Sequence, residues 1–159
     1  MTSKGWRVLA TAFCQVSPEE ITNLPLEEMA ENLTFAGFVA LKDPIRKEVK
    51  SAIKECEAGG IKVIFATGDH KLTAKAVAEE LGFKIEEKNI LSGEELEKLS
   101  EKDLEKIINN IKLYYRVEPE QKLKIVQAWQ KKGEVVAMTG DGVNDAPALK
   151  KADIGVVLG

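Results

Sequence analysis

Two short polar stretches combine carboxylates with glycine, and each directly follows an apolar run of strand length. Residues 139–145 (Thr-Gly-Asp-Gly-Val-Asn-Asp) follow the run at 135–138, and residues 67–69 (Thr-Gly-Asp) follow the run at 61–66. Carboxylates that are brought together repel unless a cation joins them, and oxygen ligands favour Mg²⁺. Glycine allows the backbone to approach a phosphate closely. The two stretches therefore predict a site for Mg²⁺ and a phosphate group.

Each stretch also has a plainer interpretation. Asp69 can simply cap the helix that follows it, because Asp is among the favoured N-cap residues. Residues 139–145 can form an ordinary turn, in which Gly, Asn and Asp are common. Two carboxylates (Asp141 and Asp145), one Asn and two glycines within seven residues favour the ligand site for this second stretch.

Apolar runs and segments with helical spacing alternate along the chain. Strands are predicted at residues 6–13, 34–41, 61–66, 113–115, 135–138 and 154–157. This alternation is typical of a parallel sheet with helices on both faces, whose strands are buried on both sides. Ligands bind beyond the carboxyl ends of such strands, where residues 42–46, 67–69 and 139–145 are predicted to lie. Residues 86–112 are mostly polar, show the spacing of two short helices, and are predicted to be a peripheral insertion.

Composition excludes several classes of function. The 159 residues are enough for one domain, and the net charge of -3 with evenly mixed Lys and Glu gives no reason to expect nucleic-acid binding. Cys14 and Cys56 lack the close spacing of metal ligands. His70 is the only histidine, so a His-based zinc site or a Ser-His-Asp triad has little to draw on. No apolar run approaches the ~18 residues that would span a membrane.

Two basic residues have no chemical role that follows from their own positions. Lys122 lies early in the helix that precedes the strand at 135–138, and Arg116 directly follows Tyr115. Charged side chains at such positions are usually solvated.

Taken in order, these stretches resemble the motifs of the P-type ATPases, along nearly the whole chain. Residues 43–46 are similar to the family's DPxR motif and residues 67–74 to its TGDxxxTA motif. Residues 116–124 resemble its RVxPxxK stretch, and residues 139–149 match its TGDGxNDxPAL signature without a gap. The form of the first two motifs is most similar to the calcium-pump branch or to a broad cation-pump branch.

The resemblance implies the fold of the haloacid dehalogenase superfamily, a Rossmann-like three-layer α/β architecture with a parallel sheet. It implies phosphoryl transfer from Mg·ATP to an aspartate, followed by hydrolysis that drives cation transport. Residues 1–16 would be the end of the nucleotide-binding domain or a substitute strand, and residues 17–159 a partial phosphorylation domain. The cofactor would be Mg²⁺, and ATP would be the substrate of the full-length pump. The partners would be the nucleotide-binding, actuator and membrane domains of an integral membrane protein, and this chain would belong to its cytoplasmic portion.

Site roles are carried over position by position from the resemblance. Asp141 is implied to hold the metal. Thr67, Gly68 and Asn144 are implied to hold the phosphoryl group. Asp43, Arg46 and Arg116 are implied to face the nucleotide. The residues implied to assist catalysis by ordering the site or adding positive charge are Asp69, Asp145 and Lys122.

The sequence departs from the family in one respect, because it contains no DKTGT motif, where the family's phosphorylated aspartate lies. In the family sheet that strand lies between the strands preceding residues 67–69 and 139–145. Without it, two apolar strand edges are free, and free edges tend to pair. Residues 6–13, or a strand from a second copy in a strand-exchanged homo-oligomer, are expected to fill the gap. The chain by itself, as a fragment, is expected to be inert.

Two other functions stay open at this point. One is a free-standing haloacid-dehalogenase-like phosphatase, against which the missing nucleophile counts because covalent catalysis needs that carboxylate. The other is a non-catalytic Mg²⁺- or phosphate-binding regulatory module.

Overall fold

A computed structural model describes residues 6–18, 25, 33–140 and 143–157. The chain divides into two compact units, residues 1–44 and 45–159. This boundary lies after the second strand because the first two strands pair with each other. The boundary predicted from the sequence lies at residue 16. The assignment of residues 1–16 to the end of a nucleotide-binding domain stays a prediction.

The first unit contains two antiparallel strands, β1 (Arg7–Phe13) and β2 (Thr34–Leu41), at the positions that the apolar runs predict. The register shifts after Thr11, whose hydroxyl donates to the Gly37 carbonyl at 3.1 Å. Large apolar side chains stay exposed, including Phe38 at 68%. The expectation that these runs are buried on both sides is therefore wrong here, because the described part of the unit supplies no second layer.

The second unit is a parallel α/β structure. Its elements are, in order, α1 (Val49–Ala58), β3 (Phe65–Ala66), α2 (Lys71–Glu80), β4 (Ile90–Ser92), α3 (Gly93–Lys98), α4 (Glu101–Ile107), β5 (Leu113–Tyr115), α5 (Pro119–Lys131), β6 (Ala137–Gly140), α6 (Ala146–Lys151) and β7 (Ile154–Val157). The strand order is β3-β5-β4 in one sheet and β6-β7 in another, and every pair is parallel. The predicted parallel α/β class is confirmed.

Helix α5 shows how local sequence sets the elements. Pro119 occupies its first position, where the missing N–H costs nothing. The Glu118 N–H donates to Gln121 Oε1 at 3.0 Å, which satisfies a donor at the helix start. Gly133, with φ of 84°, follows its last turn.

Neither α5 nor any other helix in the described ranges is long and apolar enough to cross a bilayer.

The core lies around β5 and α5. The buried members of its larger cluster are Leu91, Leu96, Leu104, Ile108, Ile111, Tyr114, Val117, Ile125, Ala128 and Trp129. Half of these belong to residues 86–112, which also supply β4. The segment thus contributes side chains to the core, and its assignment as a peripheral insertion stays a prediction. The two short helices predicted there are confirmed as α3 and α4.

Strands β3 and β6 each have one hydrogen-bonded neighbour among the described strands, β5 and β7 respectively. Apolar residues beside β6 are exposed to solvent: Val135, which precedes β6, is 78% exposed, and Val157, in β7, is 70% exposed. The strand at 135–138 was predicted to be buried, and this is wrong for the described structure. Strands β4 and β7 likewise have one hydrogen-bonded neighbour each among the described strands, so the missing strand stays a prediction.

Candidate phosphate and magnesium site

Two loops meet beyond the carboxyl ends of the neighbouring strands β3 and β5. The Arg116 N–H donates to the Asp69 carbonyl at 3.0 Å, and the Val117 N–H donates to the Thr67 carbonyl at 3.0 Å. The Thr67 N–H in turn donates to the Tyr114 carbonyl at 3.0 Å. The loop at 67–69 is therefore held by backbone hydrogen bonds, as is expected when parallel strands end side by side.

Within this loop the side chains of Thr67 and Asp69 are paired. Thr67 Oγ1 donates to Asp69 Oδ2 at 3.1 Å and accepts from the Asp69 N–H at 3.1 Å. His70, not Asp69, caps α2, since its Nδ1 accepts from the Leu72 N–H at 3.4 Å. The plainer interpretation of Asp69 as a helix cap is therefore wrong, and its exposed carboxylate accepts from the Thr67 hydroxyl instead.

Lys122 and Asp145 form the least exposed ion pair among the described residues. Lys122 Nζ lies 2.6 Å from Asp145 Oδ1, and the two side chains are 15% and 10% exposed. A charge-assisted hydrogen bond of this length is strong, and removal from water makes each charge depend on the other. Lys122 is thus not the solvated lysine that its own position suggests.

A close approach of Gly140 fixes the position of the Asp145 carboxylate. A β-carbon on residue 140 would lie 2.7 Å from both Cβ and Oδ2 of Asp145. Real β-carbons essentially never come so near a heavy atom. Glycine at the end of β6 therefore lets Asp145 fold back against the strand and reach Lys122.

A magnesium ion fits the chemistry of these residues only in part. Asp145 is already neutralised by Lys122, so its carboxylate suits a supporting role more than direct coordination. Asp141, the implied metal ligand, lies outside the described residues, and Asn144 is exposed in the turn Val143–Asp145. Among the described residues no group of three or more His, Cys, Asp or Glu could hold a metal. A metal site here would depend on Asp141.

Lys71 follows the 67–69 loop closely in sequence, and its side chain is paired with Glu87. Lys71, the first residue of α2, donates to Glu87 Oε2 at 2.6 Å, and this hydrogen bond raises the pKa of Lys71. Both side chains are substantially exposed, so the pair contributes little to stability.

The three residues implied to face a nucleotide are exposed. Arg116 lies at the loop after β5, with a φ of 49° that is unusual for a residue with a side chain. Arg46 precedes α1 and its carbonyl accepts from the Val49 N–H at 3.2 Å. Asp43 belongs to the first unit. The structure thus brings Thr67, Asp69 and Arg116 into one hydrogen-bonded loop pair.

One residue near the site, Gly93, has no role that the sequence motifs assign. Gly93 is buried at the start of α3, where a β-carbon would lie 2.2 Å from the Arg116 carbonyl oxygen and 2.3 Å from Gln121 Oε1. The available signal was Ser92 followed by Glu95, which is the capping-box spacing that marks the start of a helix. That signal predicts the helix but not the contact.

A family model described as haloacid dehalogenase-like hydrolase matches residues 4–153 of the chain. The chain is 46% identical over 159 residues to calcium-transporting ATPase 1 of Bacillus cereus, covering all of this chain and 18% of that protein. It is 44% identical over 159 residues to a calcium-transporting ATPase of Bacillus subtilis, with the same coverage. It is 43% identical over 162 residues to calcium-transporting ATPase 1 of Saccharomyces cerevisiae, covering 100% of this chain and 17% of that protein. The chain therefore spans less than a fifth of the length of these curated relatives.

Proposed function

The chain belongs to the haloacid dehalogenase-like hydrolases, and from this we propose that it is the phosphate- and Mg²⁺-binding part of the phosphorylation domain of a cation-pumping ATPase. Its similarity over the full chain to proteins named calcium-transporting ATPases supports Ca²⁺ as the ion moved by the whole protein. ATP would be the substrate of that whole protein.

The observation that carries this proposal is the shielded Lys122–Asp145 pair, whose two partners come from the helix after β5 and the turn after β6. Phosphoryl transfer is helped mainly by positive charge and donors held in place before the reaction. A lysine that is already largely removed from water, and oriented by a carboxylate, meets that requirement. A solvated surface lysine would not.

The chain's own residues would act as follows. Gly68 and Asn144 would donate hydrogen bonds to the phosphoryl oxygens, and Lys122 would balance their charge. The Thr67 hydroxyl would also donate to them once it turns away from Asp69 Oδ2, to which it donates in this structure. Asp69 would keep Thr67 Oγ1 in place through the hydrogen bond that its own N–H donates. Asp141 would hold Mg²⁺, which when bound neutralises charge on the phosphoryl oxygens.

Phosphate binding and turnover are separable in this chain. An aspartyl-phosphate needs the carboxylate of a DKTGT motif, and the sequence has none. We therefore infer that the chain by itself binds phosphate without hydrolysing phosphoesters.

The test is the binding of inorganic phosphate, measured by ³¹P NMR and calorimetry with and without Mg²⁺. Binding is expected only with Mg²⁺, and Asp141→Ala is expected to weaken it at least tenfold because the metal loses its ligand. Asp103→Ala is the matched control, since Asp103 is an exposed carboxylate paired with Lys106 on α4. Equal binding by both variants would contradict the assignment.

Turnover separates the alternative functions. Steady hydrolysis of p-nitrophenyl phosphate that is lost in Asp141→Ala would favour a free-standing phosphatase. Binding without turnover agrees with the pump fragment and also with a regulatory module. The parent reading frame separates those two, because a pump requires an upstream DKTGT and apolar helices.

We further propose that the rest of the pump supplies a strand between β3 and β6, and that the isolated chain borrows one from a second copy. The free edges of β3 and β6 support this proposal. Light scattering after size separation is expected to show a concentration-dependent dimer. A monomer at all concentrations would rule out strand exchange.

A further inference from the structure

Gly93 lies with its backbone close against the loop that follows β5. A β-carbon at this position would lie 2.2 Å from the Arg116 oxygen, 3.1 Å from the Arg116 carbonyl carbon and 2.3 Å from Gln121 Oε1. Gly93 is not among the described residues with a positive φ, so its backbone has a conformation that residues with side chains also adopt. Glycine is therefore required here by space and not by backbone conformation.

Both groups close to Gly93 are linked to the candidate site through the loop after β5 and the start of α5. Arg116 is the only described residue other than glycine with a positive φ, and such a conformation persists only when its surroundings hold it. Its N–H and that of Val117 are the two donors that hold the 67–69 loop. Gln121 accepts the Glu118 N–H at the start of α5 and directly precedes Lys122.

The start of α3 is itself firmly anchored. Ser92 accepts from the Glu95 N–H at 3.1 Å, and Glu95 Oε2 accepts from the Ser92 N–H at 2.8 Å. The Ser92 hydroxyl also donates to Glu95 Oε2 at 2.7 Å, and this bond, together with the one from the Ser92 N–H, lowers the pKa of Glu95. Lys124 on α5 donates to the carbonyls of Leu96 and Leu99 at 2.7 and 2.8 Å. Because α3 is tied to α5 in this way, Gly93 has little freedom to move aside.

We propose that Gly93 is a positioning residue of the phosphate site, holding the Arg116 peptide and the Gln121 side chain and through them the 67–69 loop and Lys122. This role rests on the proposed function for its link to phosphate. An added methyl group would have to displace its neighbours by about 1 Å, and misplacement on that scale can cost about a hundredfold in a preorganised site.

The test compares Gly93→Ala with Gly82→Ala. Gly82 has φ of 102° with nothing within 4 Å of a β-carbon, so alanine there strains the backbone without touching the site. We expect both variants to lower the urea midpoint. Only Gly93→Ala is expected to shift the amide NMR signals of Thr67, Asp69 and Val117, and to weaken phosphate binding with Mg²⁺ at least tenfold.

Unchanged amide signals and phosphate affinity in a folded Gly93→Ala would overturn the proposal, as would an equal loss of affinity in Gly82→Ala. If Gly93→Ala does not fold, Gln121→Ala replaces it, with a several-fold loss of phosphate affinity expected and an unchanged affinity overturning the proposal. If the unsubstituted chain binds no phosphate, the proposed function fails. The amide signals then still decide the positioning role.

Discussion

Replacement of Lys122 by alanine is expected to destabilise the fold by about 3 kcal/mol, because it leaves the shielded carboxylate of Asp145 without a partner. The two side chains are only 15% and 10% exposed, so water replaces the lost ammonium poorly. The measurement is the free energy of unfolding from urea titrations followed by circular dichroism. Where the variant still folds, its Mg²⁺-dependent phosphate binding should also be lost.

Lys75→Ala is the matched control for this prediction. Lys75 lies 3.5 Å from Glu87 in a far more exposed pair, so its loss should cost less than about 1 kcal/mol. Combining Lys122→Met with Asp145→Leu removes both charges together and should recover most of the stability. A Lys122→Ala variant no less stable than Lys75→Ala would mean that the pair is not shielded from water.

The ends of the strands are what the sequence predicts best. Residues 67–69 follow β3 and Arg116 follows β5, as their place after apolar runs indicates. The pairing of Lys122 with Asp145 could not be predicted from spacing, because 23 residues and a full strand separate them. Such a contact is set by the packing of α5 against α6 and not by any local pattern. The resemblance to a family assigned both residues to one site without giving this contact.

The polar average composition of residues 86–112 gives no sign that they contribute to the core. Their charged residues face solvent, while Leu96, Leu104 and Ile108 are only 0–1% exposed. An amphipathic helix needs only a narrow apolar stripe to join a core, and the average over the segment hides that stripe. Residues 135–138 and 154–157 show the opposite. Their apolar character predicts burial on both sides, but Val135 and Val157 are exposed, while Val136 packs against the larger core cluster.

Leu104→Ala tests whether residues 86–112 are part of the core. The side chain is 1% exposed within the larger cluster, so its truncation should cost about 2–5 kcal/mol of unfolding free energy. Leu72→Ala is the matched control, because Leu72 is 46% exposed on α2, and we expect a cost under about 1 kcal/mol. Chemical denaturation of both variants gives the comparison directly.

A large loss in Leu104→Ala would link this segment to the candidate site. The same cluster contains Tyr114 and Val117, on either side of Arg116, and Ile125 and Trp129 on α5. Loosening the cluster should therefore also weaken Mg²⁺-dependent phosphate binding, although no residue of the site is changed. Equal stability of the two leucine variants would instead mean that 86–112 is the dispensable insertion that its composition suggests. The loop after β5 would then need another support.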